Sequence, residues 1–285
     1  MDTKRVVTSF AIGLPALFSI LAGGPWLTAL VLVIVYYACS EYTTILRHKG
    51  FFPSFRIMFA SSLLFAALAY FNCYNLIPLA FTVSALMSLM SVLFKGRQPY
   101  IANVATTMFG FVYCGWFPLH LIFLRNIGEN PFMNIIPHAQ GAGYCVLILF
   151  AVLATDTFCY LVGCRFGKHK LSPVISPNKT IEGSIGGSVM CMLFSLGIGF
   201  AVGLPWYHAI ILGALIATFA QIGDLCESMI KRDAGVKDSS NVLPGHGGFL
   251  DRTDSYIMTI PVVYYYVQYF VNSNILADLF KGFGA

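Results

Sequence analysis

Nine largely apolar stretches constrain this chain more than any other feature: Val6–Leu21, Trp26–Ser40, Ile57–Cys73, Leu76–Phe94, Tyr100–Leu124, Ala142–Gly163, Glu182–Val202, Tyr207–Ile230 and Asp254–Val271. About 20 mostly apolar residues suffice to cross a bilayer as a helix, which satisfies its own backbone polar groups in lipid. With 58% hydrophobic residues, 10% charged residues and a mean hydropathy of +0.76, the chain is excluded from ordinary soluble folds. The expected fold class is an all-α polytopic membrane protein of about nine transmembrane helices, with its N-terminus cytoplasmic. It reads as a single membrane domain over residues 1–285. Residues 1–124 form an apolar helical scaffold, and residues 142–271 hold the helices and cytoplasmic loops expected to carry chemistry. The first stretch lacks a small-residue cleavage site and flows into the next, so it reads as a retained helix and not a signal peptide.

Cytoplasmic loops of membrane proteins carry the Lys/Arg excess. Nine spans starting from the inside sort 15 of the 17 Lys and Arg residues to the cytoplasmic side, leaving only Arg125 and Lys281 outside. Dropping a span in the middle scrambles this sorting. The net charge of +5 then needs no nucleic-acid partner, because orientation and anionic headgroups account for a basic inner face. The eight cysteines are scattered through apolar segments with no CxxC pair and read as buried, reduced thiols.

The first half is chemically quiet. Glu41, placed at the inner end of the second stretch, reads as a solvated interfacial acid, and Asn103, Thr106 and Thr107 as inter-helix hydrogen-bonding residues. Chemistry begins at Asp156. A carboxylate about two turns inside a spanning helix is costly and points to a site facing the protein interior, against the alternative of a helix-to-helix hydrogen bond. The loop from Arg165 to Thr180 follows, where Pro173 and Pro177 restrict the chain and hold Lys179 near the next helix. For Lys168 and Lys170 a solvated face is an equal reading. Gly183 and Gly187 have GxxxG spacing for close helix packing, at a helix N-terminus that also suits a phosphate.

The charge concentrates between Gln221 and Asp254, where six acids, four bases, a histidine and five glycines occupy 34 residues. Gln221, Asp224, Ser228 and Lys231 recur at helical spacing as one polar stripe, with Glu227 beside it. Carboxylates at the inner end of such a helix can hold Mg²⁺, which prefers hard oxygen ligands. The run Pro244-Gly245-His246-Gly247-Gly248 can turn its N–H groups inward as an anion nest, although many turns are glycine-rich. Of the two acids opening the last stretch, Asp254 reads as an N-cap and Asp251, next to the glycines, as a metal ligand.

These residues resemble a known family. Ser228-Met229-Ile230-Lys231-Arg232, Lys237-Asp238 and the run from Leu243 to Asp254 (LPGHGGFLDRTD) are similar to the signature of phosphatidate cytidylyltransferases, the CDP-diacylglycerol synthases. Ser176-Pro177-Asn178-Lys179-Thr180-Ile181-Glu182-Gly183 and Gly223-Asp224-Leu225-Cys226-Glu227-Ser228 resemble two further blocks. The likeness is strong over residues 150–260 and confined to apolar character before that. It implies transfer of a cytidylyl group from CTP to phosphatidate with a divalent metal, giving CDP-diacylglycerol and pyrophosphate. The bases and acids above suit that reaction, in which two polyanions must meet.

On this reading Asp224 and Asp251 hold Mg²⁺, with a second, monovalent cation left open. Lys179, Lys231, Arg232, Lys237 and Arg252 neutralise phosphates. Glu227 and Ser228 line the pocket with Gly247, Gly248 and Asp156, and His246 either bonds a phosphate oxygen or shapes the turn. CTP, phosphatidate and membrane lipids are the expected partners, and a homodimer is implied by the resemblance alone. The expected location is a bacterial inner membrane with the site facing the cytoplasm. Two rivals remain. A secondary transporter also buries acids but predicts inverted repeats between halves, whereas the polar residues here concentrate in one half. A related CTP-dependent enzyme would use another lipid phosphate as acceptor or phosphorylate a lipid alcohol.

Overall fold

The computed structural model of the chain describes residues 3–128, 140–240, 242 and 247–272, with side chains from residue 13 onward. Helices fall on all nine expected stretches. They are α1 (Thr3–Ala22), α2 (Gly24–His48), α3 (Phe55–Tyr70), α4 (Ile77–Lys95), then α5 (Tyr100–Gly110) joined to α6 (Phe117–Arg125) through a π-helical turn. After residue 139 come α7 (Gln140–Phe166), a hairpin of β1 (Lys170–Ser172) and β2 (Ser176–Thr180), α8 (Ile181–Val202), α9 (Trp206–Asp233) and α10 (Leu250–Tyr266). Among the described residues six helical segments are long and apolar enough to cross a membrane: Gly24–His48, Tyr74–Lys95, Tyr100–Arg125, Gln140–Phe166, Ile181–Val202 and Trp206–Asp233. The helix α3 and the described apolar part of α1 are shorter.

The helix α2 shows why the elements form where they do. Leu27, Val31, Val35, Ala38, Tyr42 and Ile45 recur every three or four residues and are all buried, so one stripe faces the bundle. That stripe continues past Ser40, where charge begins, and carries the helix on to His48. Glu41 is consequently enclosed within the bundle instead of sitting at a helix end. In contrast, Leu79, Leu86, Leu93 and Phe94 of α4 point outward, as suits a helix facing lipid. The π-helical turn Phe111–Trp116 precedes Pro118, which has no N–H to continue the regular ladder.

Close approach of α7 and α8 depends on glycine. A side chain at Gly187 would meet Cys159 Sγ and the Thr155 carbonyl, and one at Gly183 would meet the Cys159 carbonyl, so the GxxxG spacing is a packing device. Asn103 and Thr107 also act between elements, accepting from Phe52 N and Ser54 N at the entry to α3. Thr106 instead donates to Ala102 O of its own helix. All eight thiols are free, with Cys39, Cys114, Cys145 and Cys191 buried and Cys164 exposed.

The charged groups mark two ends of the bundle. At one, the buried Arg125 donates to Ile20 O and Leu21 O, capping the carbonyl end of α1. At the other, Lys49 beyond α2 pairs with Asp233 at the end of α9. The hairpin, the end of α9 and the start of α10 meet at this second end.

Candidate active site

The hairpin places the first cation. Lys170 pairs with Thr180 and Ser172 with Ser176, but so short a ribbon is marginal alone. Its base is fastened by Glu182, which accepts from Lys168 N at 3.0 Å and contacts His169 Nδ1 at 2.6 Å. Thr180 then caps α8 by accepting from Gly183 N at 3.2 Å. That helix N-terminus is thus partly satisfied from within. The outcome is a Lys179 ammonium set 2.6 Å from Asp224 Oδ2 on α9.

The polar stripe of α9 places the second group. Gln221 bonds Ser184 and Ser188 of α8, at 2.5 and 3.1 Å, tying the two helices beside the site. One turn further Asp224 faces Lys179, with Ser228 Oγ 3.4 Å from its other oxygen. Two turns on, Lys231 reaches both Glu227 on its own helix and Asp251 at the start of α10, the latter at 2.6 Å. All three side chains are largely buried, and removing one member of such a group costs about 3–5 kcal/mol because a charge is left uncompensated.

Asp251 is held on every side. Besides Lys231 it accepts from Gly248 N at 2.8 Å and from Ser239 N at 3.1 Å. Gly247 adopts a left-handed φ of 82°, and a side chain there would run into the Asp251 carboxylate. Of the expected anion nest, the Gly248 N–H serves the protein's own carboxylate, whereas Pro244, Gly245 and His246 lie outside the described residues.

The residue that organises this loop comes from the other half of the chain. Glu41 of α2, only 4% exposed, accepts from Phe249 N at 3.0 Å, Leu250 N at 2.7 Å and Ser240 Oγ at 2.6 Å. The Ser239 hydroxyl lies between two acids, 3.0 Å from Glu41 Oε2 and 2.9 Å from Asp251 Oδ2, its single proton serving one at a time. Tyr37, one turn before Glu41, stacks on Phe249 with ring centroids 4.6 Å apart. A carboxylate on free N–H groups at a helix start is stabilising, and charge-assisted bonds are worth about 1.5–3 kcal/mol each. Glu41 is thus the N-terminal cap of α10, supplied from 209 residues away. The expectation of a solvated acid is overturned.

That distant cap also moves Asp254. The helix α10 begins at Leu250, four residues before the expected start, and Asp254 lies inside it, buried and accepting from Ser255 N. It is not the cap. Gly223 of α9 packs on the Asp254 backbone, where a side chain would clash with its carbonyl.

These parts enclose one cavity of about 1160 Å³, lined by Asp156, Lys179, Asp224, Lys231, Asp251, Arg252 and Asp254 among others. With Asp238 and Lys170 also in the lining, five carboxylates share this space with four cations. A model of the cytidylyltransferase family matches residues 3–270 of the sequence. The chain belongs to the cytidylyltransferase family. The phosphatidate cytidylyltransferase of Synechocystis sp. is 36% identical over 292 residues, covering 94% of this chain and 97% of that protein. The chloroplastic phosphatidate cytidylyltransferase 4 of Arabidopsis thaliana is 34% identical over 93% of this chain and 73% of its own length. A Staphylococcus aureus phosphatidate cytidylyltransferase reaches 46% identity over 127 residues, 44% of this chain and 49% of that one. The family likeness therefore extends through the first half, beyond the apolar character expected there.

Among the candidate residues of this cytidylyltransferase, Asp156, Lys179, Asp224, Lys231, Gly247, Asp251 and Arg252 line the cavity. Glu227 is buried behind it against Lys231, and Ser228 sits beside Asp224. Gly248 is buried between Asp251 and Glu41. Arg232 and Lys237 are exposed and line no part of the cavity, Arg232 donating to Val236 O. His246 lies outside the described residues. Asp254 and Glu41 are the additions. A buried polar stripe continuing past the first acid of α10 was the available signal for Asp254, whereas nothing local signals Glu41.

The donor set can be tested against a divalent metal. Among the described residues no three His, Cys, Asp or Glu side chains form a ready metal cage, and Asp224 and Asp251 each hold a lysine ammonium. The donor chemistry nevertheless fits Mg²⁺, which binds through one or two carboxylates and completes its shell with water and substrate phosphate.

Proposed function

We propose that this chain transfers a cytidylyl group from CTP to phosphatidate, producing CDP-diacylglycerol and pyrophosphate for phospholipid synthesis. The observation that carries this reading is the acid- and cation-lined cavity at the charged end of a bundle belonging to the cytidylyltransferase family. An oxygen of the phosphatidate monoester attacks the α-phosphorus of CTP, the bond from that phosphorus to the bridging oxygen breaks, and pyrophosphate leaves. The attacking oxygen is already anionic, so no dedicated general base is needed. The difficulty is repulsion between polyanions, which positioning and charge neutralisation overcome.

Of the four cavity cations, Lys179, Lys231 and Arg252 meet phosphate oxygens, with Arg232 and Lys237 at most guiding nucleotide to the entrance. Asp224 and Asp251 would hold Mg²⁺, which would supply positive charge against the triphosphate when bound. Asp156 and Asp254 enlarge the acidic wall, and a monovalent cation is an additional occupant of this same cluster. When nucleotide enters, Lys179 and Lys231 exchange carboxylate partners for phosphate ones. That exchange gives each cation a counter-charge in both the empty and the loaded site.

All nine helical stretches span the bilayer in this proposal, with the N-terminus and the cavity on the cytoplasmic side, in a bacterial inner membrane. The sorting of 15 basic residues to one face supports that orientation. A homodimer is carried over from the family resemblance. To test the reaction, the purified protein is given cytidine-labelled CTP and phosphatidate. Label should enter a chloroform-soluble product with one pyrophosphate released per label, and EDTA should stop both. Pyrophosphate release without label in lipid would refute the assignment, and release of CDP instead would identify a CTP-dependent kinase.

A further inference from the structure

A second cavity opens at the same end of the bundle and shares no residue with the first. It encloses about 600 Å³ between the α2–α3 loop, the end of α4 and the start of α5, and four of its lining residues are cations: Arg47, Arg56, Lys95 and Arg97. No acidic residue lines it. Among the described residues none of the four makes an ion pair, whereas Lys179 and Lys231 of the large cavity each sit on a carboxylate. Four like charges around one space repel one another, and an anion in their midst relieves that repulsion.

The walls are fixed before any ligand arrives. Asn103 bridges two of them, accepting from Phe52 N at 2.7 Å and donating to Arg97 O at 3.0 Å. The Arg97 guanidinium lies over the Phe52 ring, 4.4 Å from its centroid. The position of the cavity says where the anion comes from. Lys95 ends α4, whose last turns present Leu89, Leu93 and Phe94 outward, the last two more than three-quarters exposed. An acyl chain lying along that face brings its headgroup to the four cations. A free phosphate has no use for the apolar face.

We propose that this cavity is a binding site for the phosphate headgroup of an anionic membrane phospholipid, separate from the active cavity. It depends on the membrane reading and not on the identity of the reaction. The test uses the full chain in nanodiscs of phosphatidylcholine containing phosphatidylglycerol, with retained lipid counted by native mass spectrometry. The wild type should keep one phosphatidylglycerol per chain, and the exposed pair R56Q/K95Q should lower its apparent affinity roughly 30-fold, at about fivefold per cation removed. The charge-preserving pair R56K/K95R should retain the lipid, which separates loss of charge from loss of structure. Cytidylyl transfer at saturating phosphatidate should be equal in wild type and R56Q/K95Q. Equal retention in wild type and R56Q/K95Q overturns the site. Displacement of the lipid by inorganic phosphate at similar concentrations makes it a soluble-anion site and overturns the lipid assignment. Loss of transfer in a folded R56Q/K95Q variant makes it part of the substrate path and overturns its separateness.

Discussion

The helices before Arg125 and those after Gln140 are built alike, with buried apolar stripes and outward-facing Leu, Phe and Val, yet they differ in what they bring to the large cavity. The second half supplies every residue that lines it. The first half supplies one carboxylate, Glu41, and one ring, Tyr37, both spent on the loop that carries Asp251. Chemistry is thus local to one half, while the geometry of that chemistry is held by the other. A scaffold half can be silent in composition and still decide where a cavity acid sits.

Substitutions sharpen or break this contrast. The largest effect belongs to the cavity acids: Asp224→Asn and Asp251→Asn should each reduce cytidylyl transfer by about 10³-fold or more while the purified protein keeps its helical circular dichroism. Near-normal rates in both would remove the cavity from the mechanism. Next comes Glu41. Glu41→Gln should lower kcat by about 10–100-fold with little change in the KM for CTP, since it acts through Asp251 and touches no substrate. Glu41→Ala should in addition destabilise the protein by about 3 kcal/mol by leaving the α10 cap unmade. A Gln variant with full kcat would show that the two halves are independent.

Smaller effects test the packing. Gly187→Val forces α7 and α8 apart and should cost about 1–3 kcal/mol, read as a lower midpoint in thermal unfolding. At the bottom of the scale Lys49→Gln, which breaks an exposed pair with Asp233, should change stability by less than about 1 kcal/mol and leave transfer intact. A large loss there would mean that the join between halves relies on surface charge and not on Glu41.

Much of the fold was legible because apolar length is a property of consecutive residues. Every helix lies where such a stretch was expected, and the spacing of Gln221, Asp224 and Lys231 put the polar stripe of α9 on one face. Three features escaped. The hairpin Lys170–Thr180 is too short to announce itself and relies on Glu182 to close it. The start of α10 was misplaced because Asp254 looks like a local cap, while the true cap is a carboxylate of α2. The partner of the Gly248 N–H escaped for the same reason: a glycine N–H advertises an anion but does not say whether the anion is a ligand or Asp251. In each case the missing information is a contact between residues far apart in sequence, or a competition between internal and external partners.

On the proposed function, a soluble nucleotide must reach a membrane lipid at the end of the bundle where Asp224 and Asp251 open. Sealed membrane vesicles of known sidedness, supplied from outside with cytidine-labelled CTP and containing phosphatidate, test this directly. Inverted vesicles should incorporate label into lipid at once, and right-side-out vesicles only after permeabilisation. Incorporation by intact right-side-out vesicles at the same rate, or none by either kind once permeabilised, would contradict it.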